Sequence, residues 1–204
     1  MTATDEKSST GLSGALRRFG EWRRAAASNR LFRSGLALAL VVAAVDRASK
    51  HVIVNVVELP ERIGPCAKAP GLTCAQIPVL PIFDLTFVRN YGMSFGLFAG
   101  GIVSRAILSA VTLAIAGGLI VWLARIDRRI AAAGVGFIVG GALGNLYDRV
   151  SYGYVVDFLD FSGLYFPWVF NIADAAINVG VLLLLLDAWL TRDRKDEDAP
   201  QSMG

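Results

Sequence analysis

The run from Ala106 to Ala124 carries no charged side chain. At about 1.5 Å per residue, a helix over it crosses most of a hydrocarbon core roughly 30 Å thick. Composition agrees with a polytopic membrane protein. The chain of 204 residues is 54% hydrophobic and only 18% charged, more apolar than a soluble domain of this size usually is.

The charges are segregated. Arg17, Arg18, Arg23, Arg24, Arg30 and Arg33 precede the first apolar run, Arg125, Arg128 and Arg129 fill a short loop, and Arg192, Arg194 and Lys195 follow the last run. Basic clusters at alternate segment ends are the positive-inside pattern. It sets aside nucleic acid as the partner of these arginines. Four spans follow, at about 33–54, 102–124, 130–149 and 170–190, with both termini cytoplasmic. Residues 1–32 form a basic cytoplasmic extension. In it Leu12, Leu16, Phe19 and Trp22 recur at helical spacing, which suits an interfacial helix on an anionic leaflet. Residues 191–204 form a cytoplasmic tail. The expected fold class is an all-α membrane protein, a four-helix bundle with a small extracytoplasmic β-cradle.

The cradle comes from the loop between the first two spans. Its prolines exclude a long helix. Phe83, Leu85 and Phe87 alternate with Asp84, Thr86 and Val88, the two-residue period of a half-buried strand. Ile77 to Leu80 is its expected neighbour. Cys66 and Cys74 share this loop. A disulfide and two free thiols both remain open, and neither the cysteines nor the single His51 has metal-site spacing. In the third span Gly136, Gly140 and Gly144 form a small-xxx-small ridge, read as a packing face without chemistry.

Acids at span ends carry the chemistry. An intramembrane carboxylate is costly, so its presence points to a use. The candidates are Asp46, Asp148, Asp157, Asp160 and Asp174. Asp46 has Lys50 four residues on, the favourable order for a helical pair. Asp148 has Arg149 beside it and Arg105 at a similar expected depth. Asp160 reads as a solvated loop residue. Asp157 and Asp174 have no base nearby in sequence, which favours them, although sequence alone does not bring them together. Asn171, Asp174 and Asn178 share a helix face that should look inward. Two carboxylates within reach split their titrations, so one takes a proton from water while the other donates to a carbonyl oxygen. No Ser–His pair, phosphate loop or metal cluster competes. A proton-coupled transporter and a non-catalytic scaffold that binds lipid-modified proteins are the alternatives from other classes.

Five motifs then occur in order: Asp46-Arg-Ala-Ser-Lys50, Asn90-Tyr-Gly-Met-Ser-Phe-Gly96, Gly140-Gly-Ala-Leu-Gly-Asn-Leu-Tyr-Asp-Arg149, Val155-Val-Asp-Phe158 and Phe170-Asn-Ile-Ala-Asp174. With them the chain resembles the lipoprotein signal peptidase (signal peptidase II) family from about Leu36 to Leu190. The resemblance implies an aspartic endopeptidase of the bacterial plasma membrane with its site near the extracytoplasmic face. It implies Asp157 and Asp174 as the catalytic pair. It further implies Asn90, Gly92, Asn145, Arg149 and Asn171 as residues that shape or contact the substrate site, and Asp46, Lys50 and Asp148 as support. The implied substrate is a diacylglyceryl-modified prolipoprotein, cut before its lipidated cysteine. Membrane lipids are the other partner, no cofactor is called for, and a monomer is expected. The basic N-terminal extension is longer than the family core requires.

Overall fold

A computed structural model of the protein describes residues 3–62, 76–92 and 102–197. Cys66, Cys74 and the stretch from Met93 to Gly96 lie outside the described residues. Five helices and four strands are present: α1 (Ala3–Ser28), α2 (Arg30–His51), β1 (Gln76–Leu80), β2 (Phe83–Asn90), α3 (Ile102–Leu123), α4 (Arg129–Ser151), β3 (Val155–Asp160), β4 (Val169–Phe170) and α5 (Ile172–Glu197). Three segments are long and apolar enough to cross a membrane: α3, α4 and Ile172–Arg192 of α5. The fold is mostly helical with one small antiparallel sheet.

Helix α4 is the central one. The glycine ridge brings α2 against it. A methyl group added at Gly136 would lie 2.7 Å from the Gly35 carbonyl oxygen, and one at Gly140 would lie 2.6 Å from that of Ala39. Only glycine permits backbones this close. Gly134 and Gly141 make the same approach to α5, at Gly180 and Ala173. The last member of the ridge departs from the reading as plain packing. The space beside Gly144 holds a carboxylate oxygen of Asp46, 2.5 Å from where a β-carbon would sit. An apolar core of Ala39, Leu123, Ala132, Val135 and Val139 fills the end of the bundle near the α3–α4 loop.

The sheet is a meander in the order β1–β2–β3–β4, all pairs antiparallel. Strands β1 and β2 form the hairpin expected from the alternation of residues 83–88. Strand β3 does not follow from that signal. Its residues are buried on both faces, so the apolar character is continuous and the two-residue period vanishes. Under the sheet, Ile53, Leu59, Phe87, Val156 and Phe158 make a second core. Burial of each such side chain is worth roughly 1.5–3 kcal/mol, which fastens β3 to the top of the bundle.

Two expectations change. Asp160 is not a solvated loop residue. It ends β3, is buried, and accepts a hydrogen bond from the Thr86 hydroxyl at 2.6 Å and another from the Ser162 amide at 2.9 Å. Asn178 does not look inward. It is exposed, and its side chain donates to the Asp174 carbonyl oxygen one turn back at 3.0 Å. A polar residue that bonds its own helix backbone needs no buried partner. Helix α5 itself runs on to Glu197, and the buried Asp187 within it is paired. Arg128 reaches it across the helix interface at 3.0 Å and donates to Thr191 at 2.6 Å.

Candidate active site

The polar ends of α2, α4 and α5 meet the edge of the sheet at one place. Register brings Asp157 there. Val88 of β2 pairs with Asp157, and Asn90 pairs with Val155, so Asn90 and Asp157 are two residues apart across neighbouring strands, within side-chain reach. The Asn90 amide donates to Asp157 Oδ2 at 2.9 Å. The residue is held by its own turn, because the Gly92 amide donates to Asn90 Oδ1 at 2.8 Å. Gly92 has φ of +80°, a conformation L-residues rarely adopt.

Asp174 arrives from the opposite direction, in the first turn of α5. Asn171 precedes that helix and caps it, its Oδ1 accepting from the Asp174 amide at 2.9 Å. The Asn171 amide nitrogen lies 2.6 Å from Asp157 Oδ1, to which it donates, and 3.2 Å from Asn145 Oδ1. Asn145 in turn donates to Asp174 Oδ1 at 2.7 Å. The two carboxylates are thus bridged by a pair of asparagine side chains, one from α4 and one from the entrance of α5. Each amide is fixed at both ends, so the bridge has one arrangement.

Behind this bridge lies a buried charge cluster. Lys50 is 1% exposed. Its ammonium group is 2.8 Å from Asp46 Oδ2, 2.8 Å from Asp148 Oδ2 and 3.1 Å from Asn145 Oδ1. Arg47 closes the outer side at 2.7 Å from Asp148 Oδ1, its guanidinium 4.1 Å from the centre of the Tyr147 ring. Two acids and two bases make the cluster neutral, which is what allows Asp46, Lys50 and Asp148 to be buried together with Arg47 half-buried at their edge. The remaining carboxylate lone pairs go to the backbone. Asp148 Oδ2 accepts from the Val156 amide at 3.1 Å, and Asp46 Oδ1 accepts from the Ala173 amide at 3.0 Å. Each supporting acid therefore holds the residue just before one of the central acids.

This corrects the sequence reading of Asp148. Its partners are Arg47 and Lys50 of α2, with Arg149 and Arg105 directed elsewhere. Adjacent helical residues point about 100° apart and cannot face one another. Arg47 is the member that sequence reasoning left without a role. Its signal was its place three residues before Lys50, on the same helix side.

Asp157 is 2% exposed. Its ordinary carboxylate pKa of 3.8 is pushed up to about 7, first by burial and then by the neighbouring Asp174 charge. Hydrogen bonds from Asn90 and Asn171 act in the opposite direction without cancelling it. One of the two acids therefore carries a proton near neutral pH, as expected for neighbouring carboxylates.

A cavity of about 340 Å³ opens beside the pair, lined among others by Asn90, Tyr91, Arg105, Leu108, Arg149 and Tyr152. Arg149 and Arg105 make no ion pair among the described residues and are available to carbonyl or anionic groups. Nine of the ten residues singled out in the sequence lie in this network or on the cavity wall, and Gly92 joins it through its bond to Asn90. Among the described residues no three His, Cys, Asp or Glu side chains converge as a metal site.

Comparison with known proteins places this geometry in context. The family model described as signal peptidase (SPase) II matches residues 38–190. The chain is 47% identical over 160 residues to a lipoprotein signal peptidase of Caulobacter vibrioides, covering 78% of this chain and 88% of the relative. It is 42% identical over 164 residues to that of Rhizorhabdus wittichii, covering 79% and 88%. Its fold is similar to two solved bacterial membrane enzyme structures. One has a TM-score of 0.63 at 24% identity, with 84% of this chain and 93% of the other covered. The second has 0.61 at 25%, covering 76% and 92%.

Proposed function

The chain belongs to the signal peptidase II family, and we propose that Asp157 and Asp174 are its catalytic pair. It is a peptidase of the aspartic type that removes signal peptides from prolipoproteins. The observation that carries the dyad assignment is the bridge. Asp157 and Asp174 are the acids tied to each other through Asn145 and Asn171, whereas Asp46 and Asp148 are neutralised by Lys50 and Arg47.

In the proposed reaction a water lies between the two carboxyl groups. The ionised acid takes a proton from it as its oxygen attacks the scissile carbonyl carbon. The protonated acid, a role suited to Asp157 with its raised pKa, donates to the carbonyl oxygen. A tetrahedral diol results. It collapses when the proton passes to the amide nitrogen and the C–N bond breaks, which returns one proton to the pair. Asn145 and Asn171 hold the carboxylates at fixed orientation, so little reorganisation accompanies the step.

The substrate is a diacylglyceryl-modified prolipoprotein, cut before its lipidated cysteine. Arg149 and Asn90 bind its backbone or ester carbonyls, and Gly92 shapes the wall they share. Helix α2 is the fourth membrane span. Its Asp46, Arg47 and Lys50 belong to a neutral cluster, so these charges do not bar it from the bilayer. The peptidase body is then residues 33–190 in the bacterial plasma membrane, with both termini cytoplasmic and the acids near the extracytoplasmic face. A complete site within one chain suits a monomer. A transporter would need its acids at mid-depth, and here they sit at helix ends.

The test is processing of a lipidated precursor by purified protein in detergent. Asp157→Asn and Asp174→Asn should each lower turnover by at least about 100-fold, the scale of losing general acid–base assistance. Substrate retention should persist. A variant that cuts at the wild-type rate would refute the assignment.

A further inference from the structure

The family match begins at residue 38, so α1 lies outside it and the catalytic reading leaves this helix unexplained. Helices α1 and α2 are not one rod. Asn29 between them is extended, with φ −72° and ψ 115°, which changes the chain direction. Its Oδ1 accepts from the Leu31 and Phe32 amides, and its Nδ2 donates to the Ala124 and Ile126 carbonyl oxygens at 3.2 and 3.3 Å. The junction is fastened to the loop that carries Arg125, Arg128 and Arg129. That loop starts α4, and the acids lie near its other end.

Only the near half of the apolar stripe on α1 is covered by protein. Ala26 is buried, and the Trp22 ring meets Phe32 edge-on at 6.3 Å. Farther out, Leu16 and Phe19 are 63% and 56% exposed. Arg17, Arg18, Arg23 and Arg24 are exposed as well, and over residues 14–28 they face one acid, Glu21, which approaches Arg17 at 3.8 Å. The Trp22 indole nitrogen is buried without a hydrogen-bond partner among the described residues. It belongs to a groove of about 750 Å³ whose walls include Arg17, Arg23 and Arg24.

An exposed apolar stripe, flanking guanidinium groups and an unpartnered donor occur together where α2 begins and α3 ends. A layer that is apolar inside and negative at its surface complements all three. We infer that α1 binds the anionic phospholipid surface of the leaflet on the basic-loop side, with Leu16 and Phe19 at the acyl boundary and the Trp22 groove taking a headgroup phosphate. The inference does not depend on the catalytic acids.

The experiment is amide hydrogen exchange over residues 14–28 of the full chain in nanodiscs. One set is pure phosphatidylcholine, and the other contains 30% phosphatidylglycerol. Each basic residue near an anionic surface is worth roughly a fivefold gain in binding, so exchange should slow at least tenfold in the anionic discs. The R17Q/R18Q/R23Q/R24Q variant should reduce that ratio below twofold, and L16S/F19S should reduce it as well. Asp157→Asn should leave it intact. Equal exchange of the wild-type chain in both discs would overturn the inference, whether α1 is then free or held by protein. So would protection produced in phosphatidylcholine discs by inorganic phosphate alone, which would make the occupant a free anion.

Discussion

Replacing Asp157 by Asn should abolish activity and also remove a pH-dependent component of stability. The Asp157 pKa stands at about 7 in the folded chain against an ordinary carboxylate value of 3.8. Between those values the folded state holds a proton that the unfolded state has released. Unfolding therefore becomes easier as pH rises through this window, and the contribution is lost above about pH 7. From pH 5 to pH 8 about two pH units of the window remain, which is roughly 2.5 kcal/mol at 1.36 kcal/mol per unit. For a chain of this size that is a fall of about 5–10 °C in midpoint. Asn cannot titrate, so the variant should lack this fall. Its amide offers one acceptor where the carboxylate offered two, and the Asn90 or Asn171 donor left over costs about 1–3 kcal/mol. That cost is the same at both pH values and cancels in the difference. The assay is thermal unfolding in detergent at pH 5 and pH 8 for both proteins. Parallel profiles would refute a buried, elevated Asp157. The same titration predicts that peptidase activity declines above about pH 7, once neither acid retains the shared proton.

Three further outcomes are expected. Lys50→Met leaves Asp46 and Asp148 buried without their common partner, and should cost about 3–5 kcal/mol, read as loss of folded protein or a lowered midpoint. Gly144→Ala puts a methyl group on the Asp46 carboxylate. It should reduce kcat at least about tenfold, because a small misplacement of reacting groups is costly, and Gly117→Ala, which meets nothing within 4 Å, should leave kcat unchanged. Arg105→Ala removes a guanidinium from the cavity wall without touching either acid. It should raise KM for lipidated precursor several-fold with kcat nearly constant, and an equal loss in kcat would place Arg105 in the reacting set instead.

The helices were legible because their signals are local: uncharged runs, basic ends and the glycine ridge all read at helical spacing. The β1–β2 hairpin was legible for the same reason, through alternation at residues 83–88. Strand β3 was not, since burial on both faces erases the period that marks a strand. With β3 unrecognised, Asp160 looked like a loop residue. The ten site residues were named by motif, yet their partners were named by adjacency, and there adjacency misled. Arg149 neighbours Asp148 in sequence but faces the cavity, while Arg47 reaches Asp148 from α2, 101 positions earlier. Asn178 failed similarly, since spacing gives a face but does not say whether a neighbour covers it.

The arrangement of the four acids around the asparagine bridge bears on why two of them are proposed to react. A pair of carboxylates useful for proton transfer must be close, and whenever both are ionised their repulsion drives them apart. Something rigid must hold them. Here the holding is done through the backbone: Asp148 fixes the Val156 amide and Asp46 fixes the Ala173 amide, each one residue before an acid of the proposed pair. The supporting acids need charge to accept these bonds strongly, and they need bases to stay ionised while buried. Lys50 serves both at once, and also holds Asn145, which orients Asp174. Positive charge is thereby spent on Asp46 and Asp148. Were Lys50 to reach Asp157 or Asp174 directly, it would hold that acid ionised and lower its readiness to carry the shared proton. Distance is kept by the asparagines, whose neutral amides transmit position without transmitting charge. Asn145→Asp should therefore be more damaging than Asn145→Ala, since it would bring a new carboxylate between Lys50 and Asp174. Comparing the two by precursor turnover and by thermal midpoint separates the effects. Alanine should lose turnover with a modest change in midpoint, and aspartate should lose both. Equal behaviour of the two variants would mean that the bridge matters only for shape.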